Sequence, residues 1–191
     1  GGPATMAVLN AGISRNELLA DRGQVGSESP LVRVRREVAE LPGTTDVVLH
    51  IGTNDIAAGR DDREIVDGLV RFAAIARASG KRVFLTTITP SDAGPRGTPR
   101  AQAVRDDVNR WVRRQGPEHA DGVFDFAAAV ADPARPRRLL ARYDAGDGLH
   151  LSEDGYRALA DAVDVTRLTG SPCLGDRRPA RVALSDGRAG G

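Results

Sequence analysis

The chain has 191 residues, with 27 Lys and Arg against 26 Asp and Glu and a net charge of +1. That length suits one domain with a sizeable core and is short for two. The basic residues are scattered rather than gathered into a stripe, so nothing attracts a polyanion and no nucleic-acid partner is expected.

One cysteine, Cys173, excludes an intramolecular disulfide framework and a cysteine zinc site. The three histidines, His50, His119 and His150, are too dispersed for a metal-binding spacing. No apolar run approaches the ~20 residues of a membrane span. No signal-peptide pattern is present, and the chain opens Gly1-Gly2-Pro3 rather than with Met. Secreted and cytoplasmic locations both stay open.

In chain order, Met6-Ala7-Val8-Leu9 reads as a short buried strand emptying into Asn10-Ala11-Gly12-Ile13-Ser14. Pro30 opens a helix with Leu31, Val34, Val38 and Leu41 on one face, stopped by Pro42-Gly43. Asp46 to Ile51 is a second buried strand, running into Gly52-Thr53-Asn54-Asp55. A helix from about Arg63 to Ala78 turns Ile65, Leu69, Phe72 and Ala76 inward and is capped by Gly80. Arg82 to Ile88 is the third strand, and residues 90–99 are a Pro/Gly-rich loop. A helix from Ala101 to Gln115 carries Val104, Val108 and Trp111 inward, and Gly122 to Phe126 is a fourth strand.

Pro133 and Pro136 then break a surface segment that leads to Asp147-Gly148-Leu149-His150-Leu151-Ser152. The last helix has Ser152 as N-cap, Glu153 and Asp154 in its first turn, and Tyr156, Leu159, Ala160 and Val163 at helical spacing. Residues 1–168 are thus read as one domain. From Thr169 to Pro179 the chain is linker-like, followed by a possible short strand at 180–185 and a Gly-rich tail.

Alternating strands and helices imply an α/β fold, a parallel sheet covered by helices on both faces, with ligands bound beyond the carboxyl ends of the strands. Gly12, Asn54 and His150 fall at such ends or in the last loop on the same rim. Asp147, three residues before His150, is placed to fix the imidazole tautomer and stabilise the imidazolium once a hydroxyl has given up its proton. Such a pair needs donors for the oxyanion that acyl transfer creates, and the Gly12 backbone N–H and the Asn54 side-chain amide suit that role. Each also has a plainer reading: Gly12 as the residue of a tight turn, Asn54 as an Asx turn or helix cap, and His150 as a loop histidine beside an ordinary cap.

Taken together, Asn10-Ala11-Gly12-Ile13-Ser14, Gly52-Thr53-Asn54-Asp55 and Asp147-Gly148-Leu149-His150 resemble, in order and separation, the second, third and fifth sequence blocks of the SGNH hydrolases, the GDSL esterase/lipase family. The similarity runs from about Pro3 to Leu168. It implies a three-layer α/β/α flavodoxin-like sandwich with a parallel sheet. It also implies serine-esterase chemistry through an acyl-enzyme, on a small-molecule or carbohydrate ester, without metal or cofactor. His150 would be general base and then acid, Asp147 its partner, and Gly12 and Asn54 the oxyanion hole. Where relatives often have a second glycine three positions after the first, this chain has Arg15.

The family's first block, a G-D-S with the nucleophilic serine at the end of the first strand, has no counterpart, and no G-D-S occurs in the sequence. Three accounts follow. The chain is a fragment or processed product; or it is a rearranged member in which residues 181–184 fill the strand position and Ser185 serves as nucleophile; or it is a member that has lost catalysis and keeps the cleft for carbohydrate or ester binding. Ser14 is a further candidate nucleophile, and an acyltransferase would use the same acyl-enzyme. A first strand inside the sheet buries roughly five apolar side chains at ~1.5–3 kcal/mol each. That is comparable to the ~5–15 kcal/mol that stabilises a whole domain. The slot is therefore expected to be filled by the tail, by a preceding segment or by another chain.

Overall fold

The computed structural model describes residues 6–20 and 28–168. Ser29 caps α1 (Pro30–Val34), accepting from the Val32 N–H, and the helix widens into a π turn over Arg35–Ala39. β1 (Asp46–Leu49) leads through Gly52 into the short α2 (Thr53–Ala57). α3 (Asp62–Ala78) opens with a reciprocal capping box between Asp61 and Glu64 and is followed by Gly80 at φ +78°. Its inward face is the expected one: Ile65, Leu69, Phe72 and Ala76 are buried.

β2 (Arg82–Thr86) is followed by a loop containing a 3₁₀ turn at Gly94–Gly97, and then by α4 (Pro99–Arg114), capped by Thr98 with Pro99 in its first turn. α5 (Gly116–His119), β3 (Gly122–Phe124) and α6 (Phe126–Val130) come next. The Pro133–Pro136 segment, expected to be irregular, forms an antiparallel hairpin of β4 (Ala131–Asp132) and β5 (Arg135–Leu139). α7 (Glu153–Asp161) follows, with the Ser152 hydroxyl accepting from the Gly155 N–H at 3.2 Å, and a 3₁₀ turn at Val165–Arg167 comes after it.

The main sheet has three parallel strands in the order β1-β2-β3, registered Val48 to Phe84 and Leu85 to Val123. Both crossovers run through helices, as parallel pairing requires. Alternation along β2 divides the core in two. Val83 and Leu85 join Val34 of α1, Ile65 and Phe72 of α3, and Val108 and Val112 of α4. Phe84 joins Phe124, Phe126 and Leu159 on the opposite face, where α6 and α7 pack. Helices on both faces of a parallel sheet are the expected three-layer α/β architecture.

Two expectations are corrected. Met6 to Leu9 is not a strand: Met6 is 41%, Val8 91% and Leu9 70% exposed, and among the described residues no strand pairs with its backbone groups. On α7, Leu159 is buried and Val163 packs beside its cluster, but Tyr156 is 60% exposed and Ala160 is exposed. The helix meets the core along Gly155, Ala158 and Leu159, and a Cβ at Gly155 would lie 2.6 Å from the Tyr143 carbonyl oxygen. The helix therefore lies so close to Tyr143 that glycine is the contact residue.

β1 ends the sheet. Among the described residues its outer edge is unpaired, and Val48 is 38% exposed. The tail, with its possible strand at 180–185 and Ser185, lies outside the described residues.

Candidate active site

The His150 loop is built largely from its own short-range hydrogen bonds. The Asp144 carboxylate Oδ1 accepts from the N–H groups of Gly146, Asp147 and Gly148 at 2.8, 3.1 and 3.0 Å. Asp147 Oδ1 accepts in turn from Leu149 and His150 N–H at 2.9 and 2.8 Å. That arrangement leaves Asp147 Oδ2 2.6 Å from His150 Nδ1. An imidazole facing a carboxylate carries its proton on Nδ1, so Nε2 is left with its lone pair free, as a general base requires. The hydrogen bond from the imidazole is the main reason the Asp147 carboxyl is held down to about 2, with the two backbone N–H groups adding to it. Both side chains are exposed, 68% for His150 and 51% for Asp147, so the pair faces solvent.

One loop joins this pair to Asn54. Gly148, at φ +73°, offers its carbonyl to the Ser91 hydroxyl at 2.8 Å and to the Asp92 N–H at 3.3 Å. Arg105, 2% exposed, donates to the Ser91 carbonyl at 3.0 Å and pins the loop from the interior. Five residues after Ser91, Arg96 Nη2 donates to Asn54 Oδ1 at 2.6 Å. The other end of that amide, Nδ2, donates to the Asn16 carbonyl at 2.9 Å. A donor-only guanidinium at one end and a carbonyl at the other fix which way the Asn54 amide points.

The Gly12 segment is held from outside. Arg33, 6% exposed, donates to the Ala11 carbonyl and to Asn16 Oδ1, both at 2.8 Å. Asp55, fully buried, accepts from the N–H groups of Leu18 and Leu19 at 2.9 and 3.1 Å. Desolvation raises the Asp55 carboxyl pKa, and those two backbone bonds pull the other way. So α2 supplies two neighbours of different use: Asn54 toward the rim and Asp55 toward the loop that brings residues 16–19 against it. The Gly12 N–H, expected to be an oxyanion donor, donates here to Asn10 Oδ1 at 2.8 Å within its own turn.

Gly52 has a steric reason. It sits at φ +116°, and a Cβ there would lie 2.7 Å from Ile88 Cδ1. In the Gly-Thr-Asn-Asp stretch, then, glycine makes the turn that aims Asn54.

Sequence reasoning missed Arg96, Ser91 and His50. His50, at the end of β1, lies with Nδ1 2.8 Å from Thr86 Oγ1, which donates onward to the Leu49 carbonyl at 3.2 Å. Its ring meets Phe126 edge-on at 5.2 Å. Desolvation pushes its pKa down to about 4. Among the described residues no serine is bonded to His150: Ser91 is tied to Gly148, and Ser152 donates to the Arg142 carbonyl at 2.7 Å. No group of three or more His, Cys, Asp or Glu that could hold a metal occurs among the described residues, and no helix there is long and apolar enough to cross a membrane.

The sequence matches the GDSL-like lipase/acylhydrolase family over residues 3–158. The chain belongs to that family. Solved structures agree in fold. An aryl esterase from M. smegmatis superposes with a TM-score of 0.63 at 19% identity, over 85% of this chain and 79% of its own. A GDSL-like lipase from Bacteroides thetaiotaomicron VPI-5482 gives 0.60 at 21%, over 73% and 69%. A carbohydrate acetylesterase from Sinorhizobium meliloti gives 0.56 at 18%, over 81% and 75%. No curated protein matches. Membership of this GDSL-like family, with esterases among its structural neighbours, supports hydrolysis of ester bonds as the chain's general chemistry.

Proposed function

We propose that this domain is a carboxylic-ester hydrolase of the serine type. His150 takes the proton from a serine hydroxyl as it attacks the ester carbonyl, Asp147 steadies the imidazolium, and the Asn54 amide receives the oxyanion. His150 then returns the proton to the leaving alkoxide, and water, activated by the same imidazole, hydrolyses the acyl-enzyme. The observation that carries this reading is the single 90–97 loop that bonds at one end to the His150 turn and at the other to Asn54. Where a sugar hydroxyl displaces water in the second step, the same groups give an acyltransferase.

The serine is proposed to arrive on a strand that pairs with the open edge of β1, from a preceding segment or another chain. Such a strand would satisfy the unpaired edge and end on the rim where His50, Asn54 and His150 stand. A second reading, a carbohydrate- or ester-binding module of the same fold, is favoured by the absence of any described serine bonded to His150.

Labelling with a fluorophosphonate, with the adduct mapped by mass spectrometry, separates these readings. An adduct on a strand docked at β1, lost in His150→Ala, supports both halves of the proposal. An adduct on Ser14 or Ser185 keeps the esterase and removes the added strand. No adduct, together with no turnover of short-chain aryl esters, overturns the esterase and leaves the binding module.

A further inference from the structure

Arg96 is half-buried in the Gly94–Gly97 turn, which folds back so tightly that a Cβ at Gly97 would lie 2.1 Å from the Asp92 carbonyl oxygen. Its backbone N–H closes the turn on the Ala93 carbonyl at 3.0 Å. Nη2 spends a bond on Asn54 Oδ1, while Nε is buried without a hydrogen-bond partner. The described ion pairs neutralise neighbours such as Asp92, bound to Arg138, but none includes Arg96. A cation that no described carboxylate pairs with therefore lies against the carbonyl end of the amide whose nitrogen end would hold the oxyanion.

Two effects follow. Asn54 Nδ2 has two hydrogens, one committed to Asn16; a guanidinium fixing the oxygen end keeps the second aimed at one place. Drawing electron density toward Oδ1 also makes the Nδ2 hydrogens better donors, most of all when negative charge develops opposite them.

We propose that Arg96 is a positioning residue for the oxyanion site, holding and polarising the Asn54 amide. The inference rests on the esterase reading for its catalytic consequence, but the Arg96–Asn54 contact is testable without turnover. In the full chain, Arg96→Met and Arg96→Lys are compared with wild type by the side-chain amide ¹H–¹⁵N signals of Asn54 and by kcat and KM on a short-chain aryl ester.

The expected result is an upfield ¹⁵N shift of Asn54 in Arg96→Met, partly restored in Arg96→Lys. With it should come a fall in kcat of about 10- to 100-fold, the scale of a misaimed catalytic group, with KM little changed. Unmoved Asn54 signals in both variants overturn the proposal, whatever happens to kcat. An unchanged kcat in an active enzyme overturns it as well. If wild type turns over no ester, the esterase reading fails, and the Asn54 signals alone decide the contact; if Arg96→Met does not fold, Arg96→Lys carries the comparison.

Discussion

The two halves of the rim are held in place by different means. Residues 144–152 are fixed by two carboxylates, Asp144 and Asp147, that between them collect five backbone N–H groups within four residues of themselves. Residues 10–19 make few bonds among themselves and are fixed by side chains from other elements, chiefly Arg33 of α1 and Asn54 and Asp55 of α2. A turn that supplies its own partners keeps its shape when the surroundings move, whereas a borrowed one depends on distant elements being docked. The His–Asp pair is therefore pre-organised locally, and the proposed oxyanion side is assembled only in the finished fold.

The largest expected effect on this contrast is catalytic. Asn54→Ala removes a donor from the assembled half and should lower kcat by ~10²- to 10³-fold. Steady-state assay of a short-chain aryl ester measures it; a loss below tenfold would mean that Asn54 is not the main donor. Next, Asp55→Ala leaves two N–H groups near the core without partners and should lower the unfolding free energy by about 3 kcal/mol in urea. Hydrogen exchange should quicken at Leu18 and Leu19 and not at Leu149 and His150. Gly148→Ala, at φ +73° and with a Cβ that would lie 2.5 Å from Asp92 Oδ1, should cost about 1–3 kcal/mol, measured in urea, and disturb the His150 half and the 90–97 loop bonded to it while leaving Leu18 and Leu19 exchange unchanged.

The smallest effect is one of sign. Asp55 has a raised pKa, so the folded state binds more protons and stability falls as pH rises from the ordinary carboxylate range to the folded value. Asp147 is lowered to about 2, so its contribution is present above the ordinary value of 3.8 and is lost as pH falls through about 2. Carboxyl ¹³C titration should show Asp55 protonating before Asp147 on acidification. The reverse order would erase the distinction between the two halves.

The same difference explains what could be read from the sequence. Asp147, His150 and the Ser152 cap lie within six residues, and their contacts follow from spacing alone. Asn54 was legible as a type, but the group that orients it lies 42 residues away in a stretch whose Pro and Gly announced only a loop. The inward face of α3 was legible from periodicity, as were Val104 and Val108 of α4, but on α4 it is Val112, not Trp111, that is fully buried, and Trp111 is only partly buried against the same cluster. Met6 to Leu9 misled because an apolar run records only hydrophobicity, while a strand exists only where its backbone groups are paired, and these residues pair with no described strand.

The bare flank of β1 has a practical side. The backbone groups of β1 that are not used on β2 have no strand partner among the described residues and lie beside a half-exposed valine, the arrangement from which chains stack on one another. Concentrated samples should self-associate through this flank, and a proline at Val48 should keep them dispersed without touching the His150 turn.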